Sequence, residues 1–336
     1  MCRSFCSLGA PFVSAVSGCL LFAALTWAEI PPAPAGFASE DEVKQAFLSG
    51  KLKPIDLTID VPETVTHERN IEYGKGGDHA LQLDLYSPKE RKGPVPAVLF
   101  LHGGAWKGGY RQIYHYYCTK FAEHGFVTAT ASYRFTGEAP FPAAVEDVKC
   151  AVRWLRANAE ERGIDPDKIG AAGGSAGGHL AMMIGYSSDV PELEGKGGNA
   201  ETSSRVQAVV DLYGPTDLTD DFAKSKGDVI RFLGGKTIDQ APDQYRLASP
   251  ITHVTKDDPP TLILHGSLDS TVPIHQADLL VEKLGKAGVV CELDRVEGWP
   301  HTMDLDAEVN RHCMAKMFEF FDTNLGAPSA ASNNQK

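Results

Sequence analysis

From residue 80 onward, short apolar runs of strand length alternate with longer runs of helical period. Residues 80–86 (ALQLDLY) alternate apolar and polar side chains, as a half-exposed strand does. Residues 94–101 (PVPAVLFL) are apolar almost throughout, which fits a strand buried on both faces. A helix is predicted over 111–124, a strand over 126–132 and a long helix over 142–162. That helix carries Val145, Val148, Val152 and Leu155 on one stripe. A strand at 168–172 leads into a helix at 176–186. Strands follow at 206–213 and 261–264, then a helix at 274–287, a strand at 289–296 and a final helix over 305–321. Such alternation predicts an α/β fold: a mostly parallel, doubly wound sheet with helices on both faces and its site at the strand carboxyl ends. Two polar segments, 187–205 and 217–253, interrupt the rhythm and either roof the site or decorate the surface. Residues 29–66 read as a linker and N-terminal extension, 67–325 as the main domain and 326–336 as a disordered tail.

Gly173-Gly174-Ser175-Ala176-Gly177 falls between the strand at 168–172 and the helix at 176–186. This G-x-S-x-G pattern at a strand-to-helix turn forces strained backbone angles and lifts the serine hydroxyl out of the fold. A serine hydroxyl is a poor nucleophile at neutral pH, so it needs a base, and the base needs an acid to fix its tautomer. Asp269 follows the apolar strand that ends in Leu264-His265-Gly266, and His301 follows the strand at 289–296 through Glu297-Gly298-Trp299-Pro300. Both are predicted to reach the sheet edge that carries Ser175. Taken singly, Asp269 is an ordinary turn former and His301 an ordinary loop residue. Together they fall in the order nucleophile, acid, base expected of a hydrolase on such a sheet.

His102-Gly103-Gly104-Ala105-Trp106 directly follows the buried strand at 94–101. Glycines there let bare backbone approach a substrate, and acyl transfer needs N–H donors for the charge that develops on the carbonyl oxygen. The expected donors are the N–H groups of Gly104, Ala105 and Ala176. Trp106, Trp299, Tyr213 and Tyr110 either line a substrate pocket or belong to the core. His102 and Asp147 read as structural.

These motifs carry a resemblance. HGGAW at 102–106, ASYR at 131–134, PFPAAVEDV at 140–148, GGSAGGHL at 173–180, LYGPTDL at 212–218, HGSLD at 265–269 and PH at 300–301 resemble the esterase/lipase branch of the α/β-hydrolase superfamily. Within it the chain is most similar to exported bacterial acetylxylan and feruloyl esterases near the hormone-sensitive-lipase-like group. The resemblance implies the α/β-hydrolase fold and ester hydrolysis through an acyl-enzyme, with no metal or organic cofactor. It also implies a small ester or an acylated plant polysaccharide as substrate. Ala105 departs from the group's usual HGGG. HGGxW also occurs in kynurenine formamidases, which cleave an N-formyl amide, so an arylformamidase is a second reading. A non-catalytic hydrolase-fold binding protein is a third, though such proteins usually lose a triad member.

Composition narrows the partners. The formal charge is −12, with no basic patch interleaved with aromatics, which argues against nucleic acid. Arg3 precedes an uncharged stretch from Ser4 to Ala28, most apolar around 19–25, with Thr26-Trp27-Ala28 offering small residues at a cleavage site. Residues 1–28 therefore read as a signal peptide, and the mature chain as periplasmic or extracellular without stable membrane insertion. A retained anchor and a lipoprotein acylated at Cys19 are the alternatives. Cleavage leaves Cys118, Cys150, Cys291 and Cys313, either as buried thiols or in one of three disulfide pairings.

Overall fold

The structure, a computed structural model, describes residues 30–327 apart from Asp189. The expected signal segment with Cys19 and residues 328–336 of the expected tail lie outside the described residues. Eight strands form one sheet in the order β1-β2-β4-β3-β5-β6-β7-β8. They are β1 (Val65–Gly76), β2 (His79–Pro88), β3 (Val95–Leu101), β4 (Val127–Ala131), β5 (Ile164–Gly174), β6 (Ala208–Leu212), β7 (Thr261–Gly266) and β8 (Cys291–Val296). The pairs β1–β2 and β2–β4 are antiparallel, and every other neighbouring pair is parallel.

The helices are α1 (Glu40–Leu48), α2 (His115–His124), α3 (Ala143–Ala157), α4 (Ala159–Arg162), α5 (Ala176–Tyr186), α6 (Asp221–Lys224), α7 (Gly227–Phe232), α8 (Pro242–Leu247), α9 (Pro250–His253), α10 (His275–Ala287) and α11 (Ala307–Phe321). Alternation within β3 shows how the sheet divides the core. Leu99 and Leu101 join the cluster under α3, α5 and α10, while Val98 and Phe100 join the cluster under α2 and α11. All seven residues of β3 are buried, as its unbroken apolar run requires.

The helix predicted over 142–162 is instead two pieces. Asn158 leaves helical geometry at φ −100° and ψ 15°, and its side-chain amide donates to the Trp154 carbonyl at 2.8 Å beside its own backbone N–H at 3.0 Å, closing the first piece. β1 carried no readable period because it is an edge strand with two register shifts, one at Asn70, whose φ is 58°.

The segment before β1 is packed onto the sheet's carboxyl edge rather than strung out as a linker. Ser39 caps α1 by accepting the Glu42 N–H at 3.3 Å. The Phe37 N–H donates to the Gly298 carbonyl at 2.9 Å, the Ile55 N–H to that of Leu305 at 2.8 Å, and the Ala307 N–H to that of Lys53 at 2.8 Å. Residues 31–55 thus grip both ends of the loop that carries His301. At the other end of the chain, Asp322–Gly326 forms a turn of π-helix with Leu325, the last residue of the expected domain, buried. The four cysteines among the described residues are free thiols, with Cys118, Cys150 and Cys313 buried and Cys291 half-buried. No helix among the described residues is long and apolar enough to cross a membrane.

Candidate active site

Five strands deliver the site from their carboxyl ends: β3 into residues 102–106, β5 into Ser175, β6 into Tyr213, β7 into Asp269 and β8 into His301. Ser175 sits at φ 57° and ψ −121°, between β5 and α5. Its N–H is fixed to the Leu212 carbonyl at 2.8 Å. The glycines of the turn answer to close approach. A Cβ on Gly173 would lie 2.4 Å from the Gly177 backbone, and one on Gly177 would lie 2.0 Å from the Leu101 carbonyl oxygen.

His301 Nε2 lies 2.9 Å from Ser175 Oγ, and His301 Nδ1 lies 2.6 Å from Asp269 Oδ2. The second Asp269 oxygen accepts the N–H groups of Thr271 at 2.9 Å and Val272 at 2.8 Å. Burial pushes the Asp269 carboxyl up, but hydrogen bonds from His265 and His301, the charge of His301 and the Val272 N–H together hold it below its ordinary value. It is therefore an ionised acceptor at neutral pH. His265, whose Nε2 lies 3.3 Å from Asp269 Oδ2 and 2.9 Å from the Val272 carbonyl, is a second brace for the acid that the sequence did not single out.

The glycine-rich loop after β3 closes the other side. Gly104, Ala105 and Trp106 all have positive φ, at 115°, 52° and 55°. Gly103 comes so near that a Cβ on it would stand 3.2 Å from that of Ser175. Gly104 and Ala105 line the same cavity as Ser175, and Ala176 opens α5, where backbone N–H groups lack intrahelical partners. His102 is buried, stacked on Tyr133 and bonded through Nδ1 to the Gly103 carbonyl at 2.7 Å. Its burial lowers its pKa, which suits a neutral brace. Asp147 pairs with Arg134 at 2.7 Å, away from the serine.

Ser175 stands between two cavities. One, of about 500 Å³, is walled by Gly103, Gly104, Tyr213, Thr271, His301 and Asp304 among others. The second, of about 260 Å³, is walled by Ala105, Trp106, Ala176, Phe222, Val229 and Val272 among others. Trp106 and Tyr213 are thus pocket residues. The Trp106 indole stacks on Phe232 and donates to His179 Nδ1 at 3.3 Å. Trp299 lines neither of these two but borders a third cavity behind the His301 loop. Residues 34–37 cover it, with its indole N–H donating to the Pro34 carbonyl at 3.2 Å and Phe37 edge-on at 5.5 Å. Tyr110 is exposed. Of the two irregular segments, 217–253 walls the smaller cavity through Phe222, Lys226, Asp228 and Val229. Segment 187–205 packs elsewhere, with Glu194 held by Lys149 and Arg153 on α3.

A buried network beside His301 had no sequence signal. The Tyr213 hydroxyl donates to Asp304 Oδ1 at 2.5 Å, and that of Tyr117 donates to Oδ2. The Tyr213 ring then lies edge-on to the His301 imidazole at 4.7 Å. Burial pushes the Asp304 carboxyl up against the lowering effect of both tyrosines. Asp304 could be placed only by knowing that α2 brings Tyr117 to it.

A family model described as BD-FAE matches residues 83–284. Esterase LipC of Mycobacterium tuberculosis is 35% identical over 267 residues, covering 74% of this chain. The chain spans 66% of that relative, just under two thirds of its length. Among solved structures, a truncated carbohydrate esterase from gut microbiota superposes with a TM-score of 0.68 at 30% identity, covering 80% of this chain and 99% of that one. The propionate-bound esterase Est2 of Thermogutta terrifontis superposes with a TM-score of 0.68 at 30% identity, covering 80% and 98%.

Proposed function

The chain belongs to the BD-FAE family and has the α/β-hydrolase fold, and from that premise we propose that it is a serine carboxylesterase working through an acyl-enzyme on Ser175. The observation that carries this reading is the continuous chain of contacts from Asp269 through His301 to Ser175 Oγ, at 2.6 and 2.9 Å. His301 takes the Ser175 proton as Oγ attacks the ester carbonyl, and Asp269 holds the imidazole with Nε2 free to accept it. The N–H groups of Gly104, Ala105 and Ala176 serve the oxyanion, a donor of this kind being worth about 10²–10³ in rate. His301 returns its proton to the departing alkoxide. Water then repeats the sequence on the acyl-Ser175 ester, releasing acid and free enzyme.

A narrower reading takes acetyl or feruloyl esters of plant polysaccharide as substrates, supported by the carbohydrate esterase among the similar structures. Export through cleavage of residues 1–28 goes with it, and N-terminal sequencing of the mature protein, expected to begin at Glu29, tests that step.

The function is tested on p-nitrophenyl acetate, butyrate and longer esters, methyl ferulate, acetylated xylan and N-formylkynurenine, with Ser175→Ala alongside. Ester turnover that the variant loses is the expected result. Wild type and variant equally inactive throughout would overturn the reading. Turnover of N-formylkynurenine alone would replace it with an arylformamidase.

A further inference from the structure

Behind the His301 loop runs a groove of about 410 Å³ that neither the family nor the triad accounts for. Its walls are Val43, Phe47 and Leu48 of α1, Leu52 and Pro54 after it, and the loop from Trp299 to Asp306. Phe47 and Leu48 are 58% and 76% exposed, among the few large apolar side chains left in water. Its polar lining groups are already engaged. Asp306 caps α11 and accepts the Lys53 N–H, the Trp299 indole is bonded to Pro34, the Thr302 hydroxyl to the His301 carbonyl, and Lys44 to Asp41. The groove thus offers apolar surface and few free hydrogen-bonding groups. It borders the reaction centre: His301, Thr302 and Leu305 line both it and the larger cavity at Ser175.

We infer that this groove receives the alcohol moiety of the ester, and that this moiety is alkyl or aryl. The argument rests on the serine-esterase reading above. His301 Nε2 must protonate the leaving oxygen, so the group attached to that oxygen departs on the imidazole side of Ser175. The acyl group then falls on the other side, in the cavity of about 260 Å³ between Ala105, Ala176 and Val229, which suits a short chain. A glycosyl alcohol would bring hydroxyls that find no partners in the groove, and unpaired polar groups cost more than the apolar contact returns. The inference therefore replaces the polysaccharide substrate of the narrower reading with an ester of an apolar alcohol. It also gives the N-terminal arm a role, since without α1 the groove has one wall.

The test holds one end of the ester fixed while the other grows. The full chain, a Phe47→Ser/Leu48→Ser double variant and Val290→Ser, an exposed apolar site outside the groove, are assayed on methyl and hexyl butyrate, then on methyl acetate and methyl octanoate. Wild type is expected to prefer hexyl over methyl butyrate by about tenfold in kcat/KM, mostly through KM. The double variant should lose at least about threefold of that ratio, while Val290→Ser keeps it. Both α1 side chains are exposed, so the double variant should fold, and an unchanged melting temperature checks this. Ser175-dependent hydrolysis with no alcohol-length preference, or a variant that instead shifts acyl-length preference, overturns the groove and leaves the esterase standing. Hydrolysis of acetylated xylan in preference to hexyl butyrate does the same. Sedimentation showing a dimer that the double variant dissociates would make the groove an interface between copies and overturn the inference. Failure on every ester sinks the esterase reading and this one together.

Discussion

At the scale of single residues, Asp269 shows how little chemistry separates a working triad from an inert one. One of its oxygens accepts the N–H groups of Thr271 and Val272, and the other faces His301 and His265. In Asp269→Asn the carbonyl oxygen keeps the backbone donors, which turns the amide N–H₂ toward His301 Nδ1. The imidazole must then accept at Nδ1 and carry its proton on Nε2, where it can no longer take one from Ser175. The expected outcome is a fall of about 10³–10⁴ in kcat with KM nearly unchanged, measured by steady-state kinetics on p-nitrophenyl butyrate. A fall below tenfold would contradict the role given to Asp269. Ser175, Asp269 and His301 were legible in the sequence because each follows a readable strand within five residues of its end. His265 and Asp304 were not, since their importance comes from side chains that only the folded sheet brings to them: Asp269 in one case, Tyr117 and Tyr213 in the other.

At the scale of elements, the turn at Ser175 and the N-terminal arm obey the same rule of close backbone approach. Gly177 at the turn and Gly298 before His301 both lack room for a side chain. A Cβ on Gly298 would lie 2.5 Å from the Phe37 nitrogen, and its φ of 74° is already left-handed. Gly298→Ala is expected to loosen the arm from the His301 loop at a cost of about 1–3 kcal/mol. The measurement is a fall in melting temperature together with faster proteolysis between residues 31 and 60. A variant with wild-type stability would show that the arm is not held there. Apolar period reveals strands and amphipathic helices. It says nothing about an arm whose anchors are single backbone contacts hundreds of residues away, as at Lys53 with Ala307. The edge strand β1 escaped for a related reason, since its bulges break the alternation by which strands are recognised.

At the scale of the molecule, buried titratable groups set how stability follows pH. Burial pushes the Asp211 carboxyl, at the carboxyl end of β6, up to about 7, and one of its oxygens has no hydrogen-bond partner among the described residues. Its native pKa is raised, so its contribution is full below about pH 4 and is lost as pH rises through about 7. Burial lowers His179 to about 4, so its contribution is full above about pH 6.5 and is lost as pH falls toward 4. Asp211→Asn keeps the acceptor for the Gly214 N–H, at 2.9 Å in the native protein, and removes the first of these slopes. Its melting temperature relative to wild type should therefore be higher at pH 8 than at pH 4.5. Equal differences at the two pH values would place the Asp211 titration elsewhere. The molecule-wide pattern of a mostly parallel sheet with its chemistry at one edge could be read directly, because β3, β5, β7 and β8 are each followed by the residue the chemistry needs.

The central claim is that Ser175 is the nucleophile, and covalent labelling tests it most directly. The full chain is treated with a fluorophosphonate, and peptide mass mapping locates the adduct while ester hydrolysis is followed in parallel. One adduct per chain on Ser175, formed in step with loss of hydrolysis and absent from Ser175→Ala, is the expected result. An adduct on another residue, or complete loss of hydrolysis with Ser175 unlabelled, would contradict it.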